Sequence, residues 1–293
     1  NKVSSKVRDQ YEESPYPKWI DLGWSLSPAP IAKVVKVLKI RLFEHSIIEV
    51  KAPTILIAGC GTGQHSIDTA ARFKNAKVLA IDLSLSSLAY AQRKTEALGV
   101  QNLEYMQADL LDLGQLNKTF DIIESAGVLH HMENPMAGWK VLASCLKSGG
   151  LMKIGLYSEL ARQHIVKMRE EIQQLGMETD DIGMKRFRNE VISSKAPHHQ
   201  LIISSPDFHS IGSLRDLLFH VQEHRFTIPQ IQHCLTELGL KFCGFEVGTI
   251  TQDFKRTNSG EDDAYDLIKW HAYEQAHPHA FAGMYQFWCQ KVG

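Results

Sequence analysis

Residues 55–66 read ILIAGCGTGQHS, an apolar run that breaks into alternating glycines at Gly59, Gly61 and Gly63. Short apolar runs closed by glycine are buried strands, and the following HSIDTAARF opens a helix. Glycine allows a tight strand-to-helix turn and leaves no Cβ in the way of a ligand. The first turn of the helix offers free N–H groups to whatever lies on the bend. A phosphate, a dinucleotide or an adenosyl group could sit there, so the decision falls to the residues downstream.

The second strand, AKVLAID, ends at Asp82, 19 residues after Gly63. A carboxylate at that point accepts two hydrogen bonds from a ribose diol. A nicotinamide dinucleotide fingerprint would place glycine at position 64, where this chain has Gln64. A third strand, LEYMQAD, ends at Asp109, and a fourth, FDIIESAG, runs into VLHHM. The helix AGWKVLASCLKSGG and the strand LMKIGLY follow. Ser84 is the expected N-cap of the helix SLSSLAYAQRKTEALGV, and Gly99 its stop. Strands alternating with helices predict parallel pairing, right-handed crossovers and a sheet covered on both faces. Every strand tip named above then falls on the carboxyl edge, where open α/β sheets bind ligands.

In this order and spacing, ILIAGCGTG, AIDLS, YMQADLLDL, FDIIESAGVLHHM and LKSGGLMKIGLYS resemble a class I S-adenosylmethionine-dependent methyltransferase. The likeness covers Thr54 to Ser158, and FTIPQIQHCLTELGLKFCGFE fits a later helix and strand of that family. It implies a Rossmann-like α/β fold, a seven-stranded, mostly parallel sheet with an antiparallel last strand, here carrying a helical insertion. It also implies S-adenosylmethionine as cofactor, with S-adenosylhomocysteine as product. Carried onto this chain, Gly59, Gly61 and Gly63 shape the methionine pocket. Asp82 with Leu83 takes the ribose, Asp109 with Leu110 the adenine, and Ser125, Ala126 and Gly127 flank the methionine end. The family often has an acid in the first strand. Ile57 stands there in this chain, which leaves the partner of the methionine amino group open.

The rest of the chain divides around this core. Residues 1–52 form an N-terminal arm and helix, 53–157 the cofactor-binding core, 158–228 a helical insertion that roofs the acceptor, and 229–293 the end of the core with a further insertion near 249–281. Pro15, Pro17, Pro28 and Pro30 discourage regular structure in the arm, while Tyr11, Tyr16, Trp19 and Trp24 need somewhere to bury their rings. The segment QYEESPYPKW resembles the arm of bacterial methyltransferase domains joined to tetratricopeptide repeats. The absence of an initial methionine agrees with a place in a longer, repeat-containing polypeptide.

The expected activity is methyl transfer to a nucleophilic N, O or C atom of a small-molecule or protein acceptor. His130 and His131 are the candidate bases, against a plain packing role. Tyr11 is the arm residue expected over the cofactor, and Tyr16, Tyr157, His199, Arg215 and His220 are candidates for the acceptor pocket. HVQEH (residues 220–224) matches an HxxEH zinc pattern, but in a chain with 14 histidines chance explains it, and no metal is expected. A nicotinamide-dependent oxidoreductase is the rival enzyme, disfavoured by Gln64. A non-catalytic adenosyl-binding module is the other rival, favoured by Ile57.

Composition agrees. Of 293 residues 44% are hydrophobic and 22% charged, and the net charge of −1 supplies no basic footprint for nucleic acid or anionic membrane. Five scattered cysteines without a CxxC pair argue against a disulfide framework and point to a reducing, cytoplasmic setting.

Overall fold

The computed structural model describes residues 2–17, 19, 27–177 and 180–293; Trp24 lies outside them. Seven strands form one sheet: β1 (Thr54–Ala58), β2 (Lys77–Asp82), β3 (Leu103–Gln107), β4 (Phe120–Ala126), β5 (Leu146–Leu156), β6 (Leu240–Phe245) and β7 (Tyr285–Lys291). Their spatial order is β3-β2-β1-β4-β5-β7-β6. The pairs among β1 to β5 are parallel, and β7 runs antiparallel to both β5 and β6. This is the seven-stranded sheet with an antiparallel last strand that the motifs imply. The chain reverses its direction of winding between β1 and β4, which opens a crevice at their carboxyl ends.

Helices α1 (Lys2–Glu13), α2 (Ile31–Leu38), α3 (Gln64–Arg72), α4 (Leu85–Ala97) and α5 (Pro135–Cys145) belong to the first half of the chain. The insertion folds as α6 (Gln163–Gln174), α7 (Asp181–Ser193), α8 (Pro197–Ile203) and α9 (Ile211–Leu218). Then come α10 (Ile228–Glu237), α11 (Thr249–Thr257) and α12 (Leu267–Ala276). Alternating side chains of β1 divide the core between the two faces of the sheet. Leu56 and Ala58 join Trp139 and Leu142 of α5, Ile231 of α10 and Trp270 of α12. Ile55 and Ile57 join Val34 of α2, Ile67 of α3 and Leu88 of α4. The insertion has an apolar core of its own, in which Met168, Phe187, Ile202 and Leu214 come from its four helices.

Several local expectations differ from the structure. The arm is helical over Lys2–Glu13, because its first proline, Pro15, comes after that segment and cannot break it. Residues 146–150, read above as the end of a helix, begin β5 instead. Leu146 pairs with Phe120 and Leu151 with Ile122, so Gly149, at φ +73°, relieves an irregular pairing rather than capping a helix. The polar stretch near His198 is α8, and that after Val247 contains α11. Helix α9 stops at Leu218, so residues 220–224 are not helical and do not present His220 and His224 on one helix face.

Candidate functional site

A cavity of about 730 Å³ opens at the carboxyl edge, where the tips of β1, β2 and β4 meet the arm and the insertion. Gly59 and Gly61 contribute bare backbone to one wall, and Ile81, Leu83, Ala108 and Leu110 an apolar shelf. The turn is held from below by Gly59 N–H and Cys60 N–H, which both donate to the Ile81 carbonyl at 2.9 Å. Gly61 has φ +51°, and a Cβ there would lie 2.8 Å from the Tyr16 carbonyl oxygen, so no other residue fits beneath the arm. Gly63 does not line the cavity. A Cβ on it would meet Ala91 of α4 at 2.6 Å, so its part is to let α3 approach α4.

Asp82 and Asp109 stand at successive positions along this wall. The Asp82 carboxylate accepts from Gly61 N–H at 2.7 Å and from Ser84 N–H at 3.0 Å. A carboxylate has about four lone-pair sites, so two stay available to a diol. Burial raises its pKa, against the backbone donors of Ser84 and Gly61. Asp109 accepts from Leu111 N–H at 3.0 Å through one oxygen and so caps a short 3-10 turn, with acceptor capacity to spare on its carboxylate. Ala126 and Gly127 face the cavity, but Ser125 does not: its buried hydroxyl donates to the Ala58 carbonyl at 3.1 Å and ties β4 to β1. Bare turn, apolar shelf and two carboxylates with spare acceptor capacity suit an adenosyl group.

The arm is locked across this wall. Glu12 accepts from Leu85 N–H at 2.6 Å and Ser86 N–H at 2.9 Å, placing a negative charge on the N-terminus of α4. Trp19 Nε1 donates to the Thr62 carbonyl at 3.1 Å, and the Thr62 hydroxyl donates to the Pro17 carbonyl. Tyr11 and Tyr16 line the cavity but reach across it to the insertion. Tyr11 donates to Asp216 at 2.6 Å and Tyr16 to Asp207 at 3.1 Å. Burial pushes the Asp216 carboxyl up to about 6, against the Tyr11 hydrogen bond.

Tyr157 also lines the cavity, with Arg162 stacked over its ring at 3.6 Å. Arg162 makes two hydrogen bonds to the buried Glu223, at 3.1 and 2.8 Å, and Arg169 adds a third at 3.0 Å. The histidines pack behind them. His130 is fully buried, stacks on Tyr157 at 3.8 Å and does not line the cavity. His131 does line it; its Nδ1 lies 2.7 Å from the Gln222 carbonyl and its ring stacks on His220 at 3.6 Å. Burial holds His130 well below the usual imidazole range, His131 at about 3 and His220 at about 2. All three are neutral rings at physiological pH. The low proton affinity makes His131 a weak base, and His130, outside the lining, packs against Tyr157.

The remaining acceptor candidates lie elsewhere. His220 sits behind His131, outside the lining. Arg215 is engaged by Asp181 at 2.9 Å and Glu13 at 3.9 Å. His199 bonds Glu171 at 2.7 Å, between α8 and α6. Successive residues of a helix point about 100° apart. Arg215 therefore points away from the cavity where Asp216, which the sequence did not single out, faces into it. Asp207, Arg162 and Met284 were missed as well, since nothing in their local sequence marks them. So was Glu124. This buried acid pairs in register with Ile57 and accepts from Thr69 at 2.9 Å and from His65. Burial opposes its ionisation, but His65, Lys153 and Arg72 together outweigh that and hold it at about 2. The acid that the first strand lacks is thus one strand over, and it fastens α3 instead of facing the cavity.

Comparison with known proteins agrees with this geometry. Residues 55–150 match the model of a methyltransferase domain family. The protein syc1184_c of Synechococcus sp. is 32% identical over 235 residues, which are 75% of this chain and 56% of that protein. Phosphoethanolamine N-methyltransferase 1 of Arabidopsis thaliana is 27% identical over 44% of this chain and 26% of its own length. The structure of PKMT2 from Rickettsia typhi in complex with AdoHcy shares the fold, with a TM-score of 0.62 over 94% of this chain and 54% of that one, at 16% identity. The chain thus spans about half of the first and third of these proteins. Among the described residues no helix is long and apolar enough to cross a membrane. With matching motifs, strand order and cavity, the chain carries a class I S-adenosylmethionine-dependent methyltransferase domain.

Proposed function

We propose that this chain binds S-adenosylmethionine against Asp82 and Asp109 and transfers its methyl group to an amine nitrogen held beneath residues 158–228. The observation that carries the reading is the pair of carboxylates, Asp216 and Asp207, each oriented by a tyrosine of the arm and both lining the cavity. Among the described lining residues the aspartates are Asp82, Asp109, Asp207 and Asp216, while Arg162 is the arginine, and its charge is met by Glu223. A cleft lined by one sign of charge concentrates ligands of the other, here a protonated amine.

Bound S-adenosylmethionine supplies a methyl group already activated by the sulfonium. The protein's part is to hold the acceptor in line and to free its lone pair. Asp216 in its ionised form accepts a proton from the ammonium, leaving a neutral amine and a carboxylic acid. The amine lone pair then forms the new C–N bond as the C–S bond breaks and its electrons stay on sulfur. A carboxyl near 6 suits this exchange close to neutral pH. Tyr11 and Tyr16 keep the two carboxylates aimed, and the arm with the insertion excludes water. The cavity has room for a small-molecule amine or a single side chain beside the cofactor. The likeness of the arm supports a place within a longer, repeat-containing polypeptide.

The test is release of S-adenosylhomocysteine from S-adenosylmethionine with a panel of primary and secondary amines, free and on peptides, against matched alcohols and carboxylic acids. Turnover confined to amines is expected. Turnover only with oxygen acceptors overturns the amine assignment, and cofactor binding without turnover on any of the three classes favours a non-catalytic module.

A further inference from the structure

Within the insertion, α6 and α8 meet through a polar contact that the proposed reaction does not use. Glu171 of α6 receives both imidazoles of the adjacent pair His198 and His199 of α8. His198 Nε2 lies 2.5 Å from one carboxylate oxygen, and His199 Nε2 lies 2.7 Å from the other. The three donor atoms all lie within 4.8 Å of one another, and all three side chains are half-buried. Adjacent residues of a helix normally diverge, yet these two rings tilt together, with centroids 4.4 Å apart, to reach one carboxylate.

We infer that Glu171, His198 and His199 form a binding site for a divalent first-row transition ion, zinc above all, which clamps α8 onto α6. Two imidazoles and one carboxylate suit zinc and its neighbours rather than magnesium or calcium, which prefer all-oxygen shells. Zinc sits 2.0–2.2 Å from such ligands, so its donors stand about 3.3 Å apart around a tetrahedron. The histidine-to-carboxylate separations of 2.5 and 2.7 Å need to open by somewhat less than about 1 Å, and the two imidazole nitrogens lie within 4.8 Å of each other, adjustments that the rotamers of half-buried side chains allow. Three protein ligands leave a fourth position for water.

The location gives the ion a consequence. Helix α8 has only seven residues, held to the insertion's core by buried Ile202 and partly buried Ile203. Its last turn and the segment after it supply Leu201, Ser204, Ser205 and Asp207 to the cavity wall. An ion joining α8 to α6 would set the position of that wall, and with it Asp207 and its tyrosine partner. This inference stands apart from the proposed reaction and does not need it to be right.

The experiment is a calorimetric titration of chelator-stripped protein with zinc chloride, with magnesium chloride in a parallel arm. Wild type is expected to take up one zinc per chain and no magnesium, with a raised melting temperature and slower hydrogen exchange in residues 197–207. His198→Ala/His199→Ala and Glu171→Gln should each lose more affinity than the roughly 10–100-fold that removal of an outer-shell partner costs a metal site. His233→Ala, a change at an exposed histidine, should keep it. X-ray absorption at the zinc edge of wild type reads the ligands without any variant, and two imidazoles in the first shell are expected. No stoichiometric uptake by wild type, equal uptake by the double variant, or a shell without imidazole would each overturn the site.

Discussion

The hydroxyl of Tyr11 and the carboxylate of Asp216 meet at 2.6 Å although 205 positions separate them in the chain. One comes from the N-terminal helix and the other from the last helix of the insertion. Their bond closes the two segments over the carboxyl edge of the sheet, and it tunes the acid proposed to take the acceptor's proton.

Removing that bond by Tyr11→Phe has a defined sign. The hydrogen bond lowers the Asp216 pKa, so its loss raises it above the present value of about 6. The acid limb of kcat/KM should therefore move to higher pH in the variant, with a fall of roughly tenfold or more near neutrality, since a hydrogen bond to a charged group is worth about 1.5–3 kcal/mol. An unmoved limb would take Asp216 out of the proton transfer.

Asp216 should also cost stability. Its carboxyl is raised from 3.8 to about 6 by burial, so the folded state holds a proton over a range in which the unfolded state has released it. Wild-type stability from this group is fully present below about pH 4 and is lost as pH rises through 6. Asp216→Asn should therefore gain on the order of 2–3 kcal/mol over wild type at pH 7 to 8, less whatever the weaker bond to Tyr11 takes back, and the gain should vanish toward pH 4. Denaturant midpoints measured across that range decide it, and the variant should bind S-adenosylhomocysteine while failing to turn over.

The buried imidazoles act in the opposite sense. His131 and His220 have their pKa values lowered by burial to about 3 and about 2, whereas in the unfolded chain they protonate near 6.5. Stability from each is present above 6.5 and falls with pH below it, by about 1.4 kcal/mol per pH unit and per ring. His220→Gln should therefore flatten the acid slope of stability between pH 6 and 4 by about one proton. Activity of His131→Gln should keep the acid limb of wild type, because the limb belongs to Asp216. A limb that disappears with His131 would return the base to the imidazole.

Asp82→Ala should weaken S-adenosylhomocysteine at least tenfold by calorimetry, as charge-assisted bonds to a ribose diol are lost. Asp109→Ala should weaken it too, and wild type should bind an inosine analogue of the cofactor poorly, because that analogue lacks the adenine amino group. Equal binding of the adenosine and inosine forms would remove Asp109 from adenine recognition.

Glu12 tests whether the arm depends on its cap. Glu12→Gln removes a charge from the N-terminus of α4 but keeps an acceptor, and because the site is only half-buried the cost should be about 0.5–1 kcal/mol. Proteolysis within residues 2–17 should speed up while the sheet's circular dichroism is unchanged. Cofactor dissociation should quicken as well, since the arm crosses the glycine turn at Gly61.

The amino-acid sequence by itself determined the sheet and the carboxyl-edge placement of Asp82 and Asp109. The glycines, Asp82 and Asp109 are tied to strand ends by short-range spacing, and alternation of strand and helix places every such end on one edge. Local chemistry also settled Ser84 as the cap of α4, where it accepts from Ser87 N–H at 3.0 Å. The acceptor half was decided only by tertiary structure. Asp216 differs from its neighbour Arg215 by one helical step, and which of them faces inward depends on the packing of α9 against the rest of the insertion. His130 and His131 carry the right chemistry for a base in the sequence, and burial weakens it by lowering the proton affinity of both rings. His199 looked like a pocket residue until Glu171, 28 positions away, took its imidazole. Spacing along a chain specifies what neighbours in a strand or helix can do, but desolvation and long-range pairing belong to the folded molecule, and they set the charge of each group and what it touches.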